Sequence, residues 1–278
     1  MLRFQCILKG GFHLAVRTFV FDLDGVVYRG NQPLPGAVDT IQNLRRLGHQ
    51  VYFFTNNSSK TRIEYVEKLT GMGITTDVDH IMTASYATAL YLVEQGARGK
   101  SVYMIGGEGV REALVSVGMR IVADPEVEKP DYIVVGIDRD FNFRKLMDAQ
   151  WAILNGATFI GTNPDLTFPC EDGRITPGNG ALLAAVQAAT GVKPIVIGKP
   201  ETPAMHEILE LAHATPEDTV VVGDRLDTDI LAGRRIGACT VLVLTGIAKE
   251  QDLQSVPDDM KPDIVVGTLP ELMARLSL

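Results

Sequence analysis

The stretch from Thr18 to Tyr28, Thr-Phe-Val-Phe-Asp-Leu-Asp-Gly-Val-Val-Tyr, constrains this chain more than any other. Its first four residues are β-branched or aromatic, which is typical of a buried strand. The strand delivers Asp22 and Asp24 on one face, because alternate residues of a strand share a face, and Gly25 then allows a sharp turn. Two carboxylates at the exit of a core strand are costly unless a cation or a reaction requires them. The alternative is a solvated loop with two surface acids.

The bulk composition excludes several classes of protein. The chain has 278 residues, which is enough for one large domain or two modest ones. A net charge of −8 argues against a nucleic-acid binder, because phosphate backbones require basic patches. No apolar stretch predicts a membrane span. The three cysteines show no C-x-x-C spacing, which fits a reducing compartment and predicts a cytoplasmic location.

Alternating helix and strand patterns follow the opening strand. Apolar residues at helical spacing run from Gly36 to Leu47, and the short strand Gln50–Phe54 comes next. A strand, a helix and a second strand form a unit that implies a parallel sheet. The second strand ends in Thr55, Asn56, Asn57 and two serines. These small hydroxyl and amide groups suit a bound phosphate or, equally, the N-terminal cap of the helix that follows.

Two later strands also end in polar residues. The strand Pro194–Gly198 delivers Lys199, and the strand Thr219–Gly223 delivers Asp224. Asp229 lies five residues later, in the first turn of a predicted helix that reaches Gly237. Ligands of open parallel sheets bind beyond the carboxyl ends of the strands. If all four strands share one sheet, we expect their polar residues to converge. Three aspartates and a backbone carbonyl then offer an oxygen-rich site for a hard cation such as Mg²⁺.

A second domain is expected inside the first, because the strand and helix pattern repeats from about residue 84 to 175 with its own hydrophobic set. We therefore predict a core at residues 17–83 and 176–278, an inserted α/β domain at 84–175, and an uncertain leader at 1–16. Phe168 lies in a predicted loop that runs to Pro177. It is either a small hydrophobic plug or a substrate contact.

These motifs, in this order, resemble those of the haloacid dehalogenase superfamily of phosphatases. The resemblance rests on Asp22-Leu23-Asp24-Gly25, Thr55, Lys199 and the stretch from Gly223 to Asp229. It implies an α/β fold with a Rossmannoid parallel-sheet core and an inserted α/β cap domain of the C2 type. The closer similarity is to subfamily IIA, the p-nitrophenylphosphatase and phosphoglycolate phosphatase-like enzymes, through Thr55–Ser58, Thr162–Asp165, Thr176–Ala181 and Ile197–Pro200.

The resemblance also implies a reaction, the hydrolysis of small phosphorylated metabolites and of p-nitrophenyl phosphate. Asp22 is the expected nucleophile and forms an aspartyl-phosphate. Asp24 is expected to protonate the leaving oxygen and then to activate water. Lys199 is expected to neutralise both the nucleophile and the phosphate, because phosphoryl transfer depends on alignment and on charge neutralisation.

Substrate and metal contacts are implied in the same way. Thr55 and the backbone of Asn56 and Asn57 are expected to grip the phosphoryl oxygens, and Phe168 to help choose the leaving group. The expected cofactor is Mg²⁺. Its implied ligands are the carboxylates of Asp22 and Asp224 and the carbonyl of Asp24, with Asp229 bound directly or through waters.

Two other functions stay open. A phosphotransferase or mutase would use the same nucleophile and pass the phosphoryl group to a hydroxyl other than water. A catalytically silent module that binds phosphorylated metabolites would keep the pocket without turnover, and the intact pair Asp22 and Asp24 disfavours it. A homodimer through the exposed cap surface is a further expectation. No nucleic-acid or membrane partner is expected.

Overall fold

The computed structural model describes residues 17–169, 174–276 and 278, so the predicted leader at 1–16 lies outside the described residues. The strands are β1 (Thr18–Phe21), β2 (Tyr28–Arg29), β3 (Gln32–Pro33), β4 (Gln50–Thr55), β5 (Ile81–Thr83), β6 (Ser101–Ile105), β7 (Arg120–Ile121), β8 (Tyr132–Val135), β9 (Thr158–Gly161), β10 (Thr167–Pro169), β11 (Ile175–Pro177), β12 (Ile195–Val196), β13 (Thr219–Gly223), β14 (Cys239–Val243) and β15 (Ile264–Val266). The helices are α1 (Ala37–Arg46), α2 (Arg62–Gly71), α3 (Ala84–Glu94), α4 (Glu108–Ser116), α5 (Phe143–Leu154), α6 (Asn179–Thr190), α7 (Pro203–Ala212), α8 (Leu231–Ile236) and α9 (Pro270–Arg275).

Local sequence explains how the first elements form. All four residues of β1 are buried, as expected for an apolar, β-branched strand at the centre of a sheet. Helix α1 buries Ala37, Ile41 and Leu44, which recur at helical spacing, and it carries acidic and basic residues at the ends that its dipole favours. Gly48 follows the helix with a φ of +86°, a left-handed conformation that suits glycine and helps to end the helix.

A six-stranded sheet has the order β15-β14-β13-β1-β4-β5. Strand β1 pairs in parallel with β13 on one side and with β4 on the other. Strands β13, β14 and β15 also pair in parallel with one another in sequence. Because neighbouring strands are parallel, the carboxyl ends of β13, β1 and β4 lie side by side at one edge of the sheet.

A second sheet has five strands in the order β12-β9-β8-β6-β7, and every neighbouring pair in it is parallel. Its hydrophobic core joins residues of β8 and β9 to side chains of α5 and α6, among them Ile133, Phe159, Ile153 and Leu183. Trp151 packs against this core and is partly buried. The α/β class that the alternation of strands and helices predicts is confirmed.

The chain forms two compact units. The first comprises the described residues of 17–55, 66–81 and 205–278, and the second comprises 56–65 and 82–204. This division differs from the predicted domain limits, because it groups residues 56–65 and 176–204 with the inserted segment. Residues 176–204 group with the second unit because β12 pairs with β9 and because α6 contributes to the core of that unit.

Two features of the chain differ from a simple strand and helix alternation. Strands β10 and β11 form an antiparallel hairpin inside the stretch that we predicted as a loop, and β2 and β3 form another after the opening strand. Across the described residues, none of the helices combines the length and the apolar character that crossing a bilayer requires.

Candidate active site

The carboxyl edge of the six-stranded sheet gathers three of the predicted site residues. The backbone N–H of Asp22 donates to the carbonyl of Val222 at 2.9 Å, so the parallel ladder of β1 and β13 continues into the aspartate. Asp224 follows β13 directly, and Thr55 is the last residue of β4. These positions follow from the parallel register of the three strands, as ligand sites of open α/β sheets generally do.

Three carboxylates form a close group at this edge. Asp22, Asp224 and Asp229 each offer one oxygen, and these atoms all lie within 4.8 Å of one another. Asp224 and Asp229 are buried, with 3% and 2% of their surface exposed. Buried carboxylates this close together repel one another and need a cation or strong hydrogen bonds to stay ionised. The side chain of Asp24 does not belong to the group, and the predicted metal contact of Asp24, through its backbone carbonyl, stays a prediction.

The backbone holds one of the three carboxylates, that of Asp224, from outside the predicted motifs. Asp224 Oδ2 accepts from the N–H of Ile247 at 2.7 Å, and the Asp224 carbonyl accepts from Ala248 at 3.0 Å. Thr245 Oγ1 donates to the carbonyl of Gly25 at 2.6 Å. The segment 245–248 therefore ties Asp224 to the turn after β1. Our reading of the sequence missed this segment, because nothing in its local pattern indicates what it contacts.

Asp229 lies in a π-helical turn, Leu226–Ile230, that precedes α8. Its Oδ2 accepts from the backbone N–H of Arg225 at 3.1 Å. Turns of this kind are rare and often occur at functional sites, because the extra residue turns a side chain to a new direction. We predicted Asp229 in the first turn of an α-helix, and the structure instead places it in the π-helical turn ahead of that helix.

The chemistry of this group fits a hard divalent cation. All three side chains offer carboxylate oxygens, and hard cations such as Mg²⁺ prefer oxygen ligands. No histidine or cysteine belongs to the group in the part of the chain that the structure describes. Of the predicted metal ligands, the structure therefore brings together the side chains of Asp22, Asp224 and Asp229.

The predicted phosphate-binding stretch follows β4. Asn57 Oδ1 accepts from the backbone N–H and from the hydroxyl of Ser59, at 2.9 and 2.7 Å, which forms a tight turn. The cap of helix α2 lies further along the chain: Thr61 and Glu64 exchange hydrogen bonds in a reciprocal capping arrangement. The alternative that residues 55–59 serve as the helix cap is therefore wrong.

The sequence brings Lys199 to the carboxylates only on the condition that its strand shares a sheet with β1, β4 and β13. The structure does not meet this condition, because β12 pairs with β9 in the five-stranded sheet. The strand is also shorter than predicted, with two residues. Lys199 is buried, with 2% of its surface exposed, and its carbonyl accepts from Asn56 Nδ2 at 2.8 Å. Its role in the reaction stays a prediction.

The backbone of Phe168 belongs to β10, in the hairpin with β11, where it pairs with Thr176. Its side chain lies outside what the structure describes, so both proposed roles, a hydrophobic plug and a substrate contact, stay predictions. The hairpin itself was not expected from the sequence, because Thr167, Phe168 and Pro169 lie among turn residues with no strand-like alternation.

Comparison with known proteins identifies the class of this chain. A profile of haloacid dehalogenase-like hydrolases matches residues 19–120, and a HAD-hydrolase-like profile matches residues 196–272. An acid sugar phosphatase of Staphylococcus epidermidis is 41% identical over 241 residues, which is 86% of this chain and 90% of the relative.

Two solved structures are similar over most of the fold. The p-nitrophenyl phosphatase of Archaeoglobus fulgidus is 36% identical, with a TM-score of 0.87 over 94% of this chain and 99% of that one. The glycerol phosphate phosphatase of Mycobacterium tuberculosis in complex with magnesium is 34% identical, with a TM-score of 0.85 over 92% of this chain and 77% of that one.

The parallel α/β fold, the carboxylate group and these relatives define a phosphatase, a hydrolase of phosphoric monoesters. The chain belongs to the haloacid dehalogenase-like hydrolase family. The predicted similarity to the p-nitrophenylphosphatase subfamily is confirmed. Phosphatases of this family depend on a metal ion, which agrees with the three clustered carboxylates.

Proposed function

We propose that this phosphatase uses Mg²⁺ to hydrolyse small phosphorylated metabolites, phosphorylated sugars and polyols among them, through an aspartyl-phosphate on Asp22. The observation that carries the proposal is the group of Asp22, Asp224 and Asp229 at the carboxyl edge of the sheet. The named activities of the relatives support the substrate class, because they include an acid sugar phosphatase and a glycerol phosphate phosphatase.

The proposed chemistry has two steps. In the first, an oxygen of Asp22 attacks the phosphorus in line, the bond to the leaving oxygen breaks, and Asp24 gives that oxygen a proton. In the second, Asp24 takes a proton from a water molecule, the water attacks the same phosphorus, and the bond to Asp22 breaks. The products are an alcohol and inorganic phosphate, and both aspartates return to their starting states.

Binding and charge neutralisation fall to other residues. Thr55 and the backbone N–H groups of Asn56 and Asn57 hold the phosphoryl oxygens, and Lys199 supplies a positive charge. Mg²⁺ would be held by the carboxylates of Asp22 and Asp224 and the carbonyl of Asp24, with Asp229 bound directly or through waters. When bound, it would neutralise the charge of the transferring phosphoryl group. Spontaneous hydrolysis of phosphate monoesters is so slow that the site must supply on the order of 20 kcal/mol.

The test is phosphate release from p-nitrophenyl phosphate, glycerol phosphate and hexose phosphates, before and after treatment with EDTA. We expect EDTA to abolish release and added Mg²⁺ to restore it. Asp22→Asn is expected to lower kcat at least about a thousandfold, since it removes the nucleophile. Asp227→Asn is the matched control, because Asp227 lies in the same motif, pairs with Arg225 at 2.8 Å and is well exposed.

Release that survives EDTA, or an Asp22→Asn variant with wild-type turnover, would contradict the proposal. Adding an alcohol as a competing acceptor separates hydrolysis from phosphoryl transfer, because a transferase would yield a new phosphate ester in place of inorganic phosphate.

A homodimer and a cytoplasmic location stay predictions from the sequence. Light scattering of the purified protein and cell fractionation test them.

A further inference from the structure

Two motifs that carry no role in the proposed chemistry are Thr162–Asp165 and Thr176–Ala181. We propose that Asn163 and Asn179 are positioning residues, which hold the phosphate-binding backbone at Asn56 through a chain of side-chain amides. The inference rests on the proposed function, and it concerns hydrogen bonds that all lie within the second compact unit.

The chain of amides runs in one direction. Asn179 Nδ2 donates to the carbonyl of Asn163 at 2.8 Å, and Asn163 Nδ2 donates to the carbonyl of Asn56 at 2.7 Å. Asn56 Nδ2 in turn donates to the carbonyl of Lys199 at 2.8 Å and to Asp165 Oδ2 at 3.1 Å. Each side-chain amide thus fixes the backbone of the next member. The last carbonyl in the chain belongs to the proposed catalytic lysine.

The chain is buried along its whole length. Asn179 has 2% of its surface exposed, Asn163 has 3% and Asn56 has 9%. The side-chain N–H groups of all three amides have partners in this network, and breaking one of these bonds leaves a buried carbonyl without its donor. Asn163 Oδ1 also accepts from the backbone N–H of Asp165 at 3.2 Å, so the side chain is held in one orientation.

Glycines allow the four motifs to approach one another. A Cβ atom at Gly198 would lie 2.6 Å from the carbonyl oxygen of Thr162 and 2.8 Å from Asn56 Oδ1, closer than real Cβ atoms come. Gly178 and Gly180 approach the backbone of the 162–165 motif even more closely. Gly180 N–H donates to the carbonyl of Asp165 at 2.8 Å. The glycines beside these asparagines therefore have a packing role in the same network.

The phosphate-binding loop has a second attachment within the same unit. Ser58 Oγ accepts from the N–H of Ile137 at 2.9 Å, and the Ser58 carbonyl accepts from Ser85 Oγ at 3.1 Å. Ser58 is fully buried. The loop is therefore held on both sides of Asn57, whose N–H is one of the proposed phosphate donors. Positioning of this kind matters because a displacement of about 1 Å can cost roughly a hundredfold in rate.

The test compares Asn163→Ala, Asn163→Asp and a control. We expect Asn163→Ala to lower kcat/KM for p-nitrophenyl phosphate at least about tenfold and to raise the inhibition constant of inorganic phosphate by a similar factor. Gln150→Ala is the control, because Gln150 Nε2 likewise donates to a backbone carbonyl, that of Ala189, at 2.6 Å within the same unit. Its kcat/KM should match the wild type.

Asn163→Asp distinguishes positioning from packing through its pH profile. The introduced carboxyl has the shape of the amide, and it can donate to the Asn56 carbonyl only when it is protonated. Burial and the neighbouring Asp165 carboxylate raise its pKa, and Lys199 faces this network through its carbonyl. The ratio of kcat/KM of Asn163→Asp to wild type should therefore rise as pH falls from 8 to 5, whereas that of Asn163→Ala should stay flat.

The outcomes are distinct. A folded Asn163→Ala variant with wild-type kcat/KM and wild-type inhibition by phosphate would overturn the inference, and so would a flat ratio for Asn163→Asp. If Asn163→Ala does not fold, two other variants decide between a positioning role and a packing role. They are Asn163→Ser, which keeps a hydroxyl donor, and Asn163→Asp with its pH profile. A wild-type protein that releases no phosphate refutes the proposed function instead, and that result appears before any variant is compared.

Discussion

Two glycines beside Asp224 offer the sharpest test of the carboxylate site. A Cβ atom at Gly25 would lie 2.5 Å from Asp224 Oδ2, and one at Gly246 would lie closer still to the same carboxylate. Gly25 also has a φ of +83°, whereas Gly246 does not lie in the left-handed region. Gly48 has a φ of +86° with nothing within 4 Å of a Cβ. Alanine substitutions at these three positions therefore separate two effects. Gly48→Ala tests backbone strain alone, Gly246→Ala tests displacement of Asp224 alone, and Gly25→Ala combines both.

The magnitudes follow from these distances. Alanine in the left-handed region costs about 1–2 kcal/mol, partly offset by about 0.4–1 kcal/mol from a less flexible unfolded chain. Gly48→Ala should therefore lose about 1 kcal/mol of unfolding free energy and keep wild-type activity. Gly246→Ala forces the Asp224 side chain to move by roughly 1.6 Å to reach an ordinary contact distance, and it strains the 2.7 Å bond from Ile247.

Displacement of Asp224, a proposed metal ligand, should appear in the kinetics. Mg²⁺ requires near-ideal geometry at about 2.0–2.1 Å, so a displaced carboxylate weakens binding. We expect Gly246→Ala to lose about a hundredfold in kcat/KM and to need more Mg²⁺ for half-maximal activity. Gly25→Ala should show both effects, the kinetic loss and the loss of stability. The assays are p-nitrophenyl phosphate turnover across a Mg²⁺ titration and urea unfolding of each variant.

One result would refute this reasoning directly. If Gly246→Ala folds and keeps both the wild-type kcat/KM and the wild-type Mg²⁺ requirement, Asp224 is not a ligand whose position matters. A kinetic loss in Gly48→Ala as large as that in Gly25→Ala would show that general destabilisation, and not displacement of Asp224, causes the loss.

Three further predictions concern stability. Burial lowers the pKa of His49, whose Nδ1 accepts a backbone N–H, so the unfolded chain takes up the proton first as pH falls. The free energy of unfolding should therefore fall as pH drops below about 6.5. His49→Phe should lack this pH dependence in urea unfolding. Backbone and side-chain hydrogen bonds from Ser101 lower the pKa of Asp131. The contribution of Asp131 to the free energy of unfolding is therefore present above about pH 4 and is lost as pH falls further. Asp131→Ala should cost about 1–2 kcal/mol of unfolding free energy at pH 7. Tyr103→Phe should cost about 1–2 kcal/mol in the same assay, because it removes the 3.1 Å hydrogen bond to the buried carboxylate of Asp148; an unchanged midpoint would contradict this.

Most elements of the fold could be predicted from the sequence, because their periodicity is local. Helix α1 and strand β4 lie within a residue or two of their predicted limits, since apolar residues recur at the spacing that each structure requires. The hairpin β10–β11 could not be predicted, because three-residue strands among turn residues carry no such periodicity. The π-helical turn at Asp229 could not be predicted for a similar reason, because one extra residue in a turn does not change the periodicity of a short segment detectably.

The candidate site also combines features that the sequence predicted with contacts that only the structure shows. The residue types at the ends of β1, β4 and β13 predicted an oxygen-rich site, and the parallel register of these strands brings Asp22 and Asp224 together as expected. The contact of Ile247 with Asp224 spans 23 residues of sequence, and that of Asn163 with Asn56 spans 107. No local pattern indicates partners at such separations, so these contacts could be found only in the structure.

The sequence by itself determined the α/β class, the alternation of the longer strands and helices and the acids at the end of the opening strand, because side-chain periodicity and turn residues act over a few positions. The tertiary structure alone decided which sheet each strand joins. Ile195 and Val196 are apolar enough for either sheet, and their pairing with Ile160 and Gly161 depends on packing and backbone hydrogen bonds with a strand that lies 35 residues away in sequence. For that reason the strand before Lys199 belongs to the second sheet, and the lysine carbonyl lies at the end of the chain of asparagine amides.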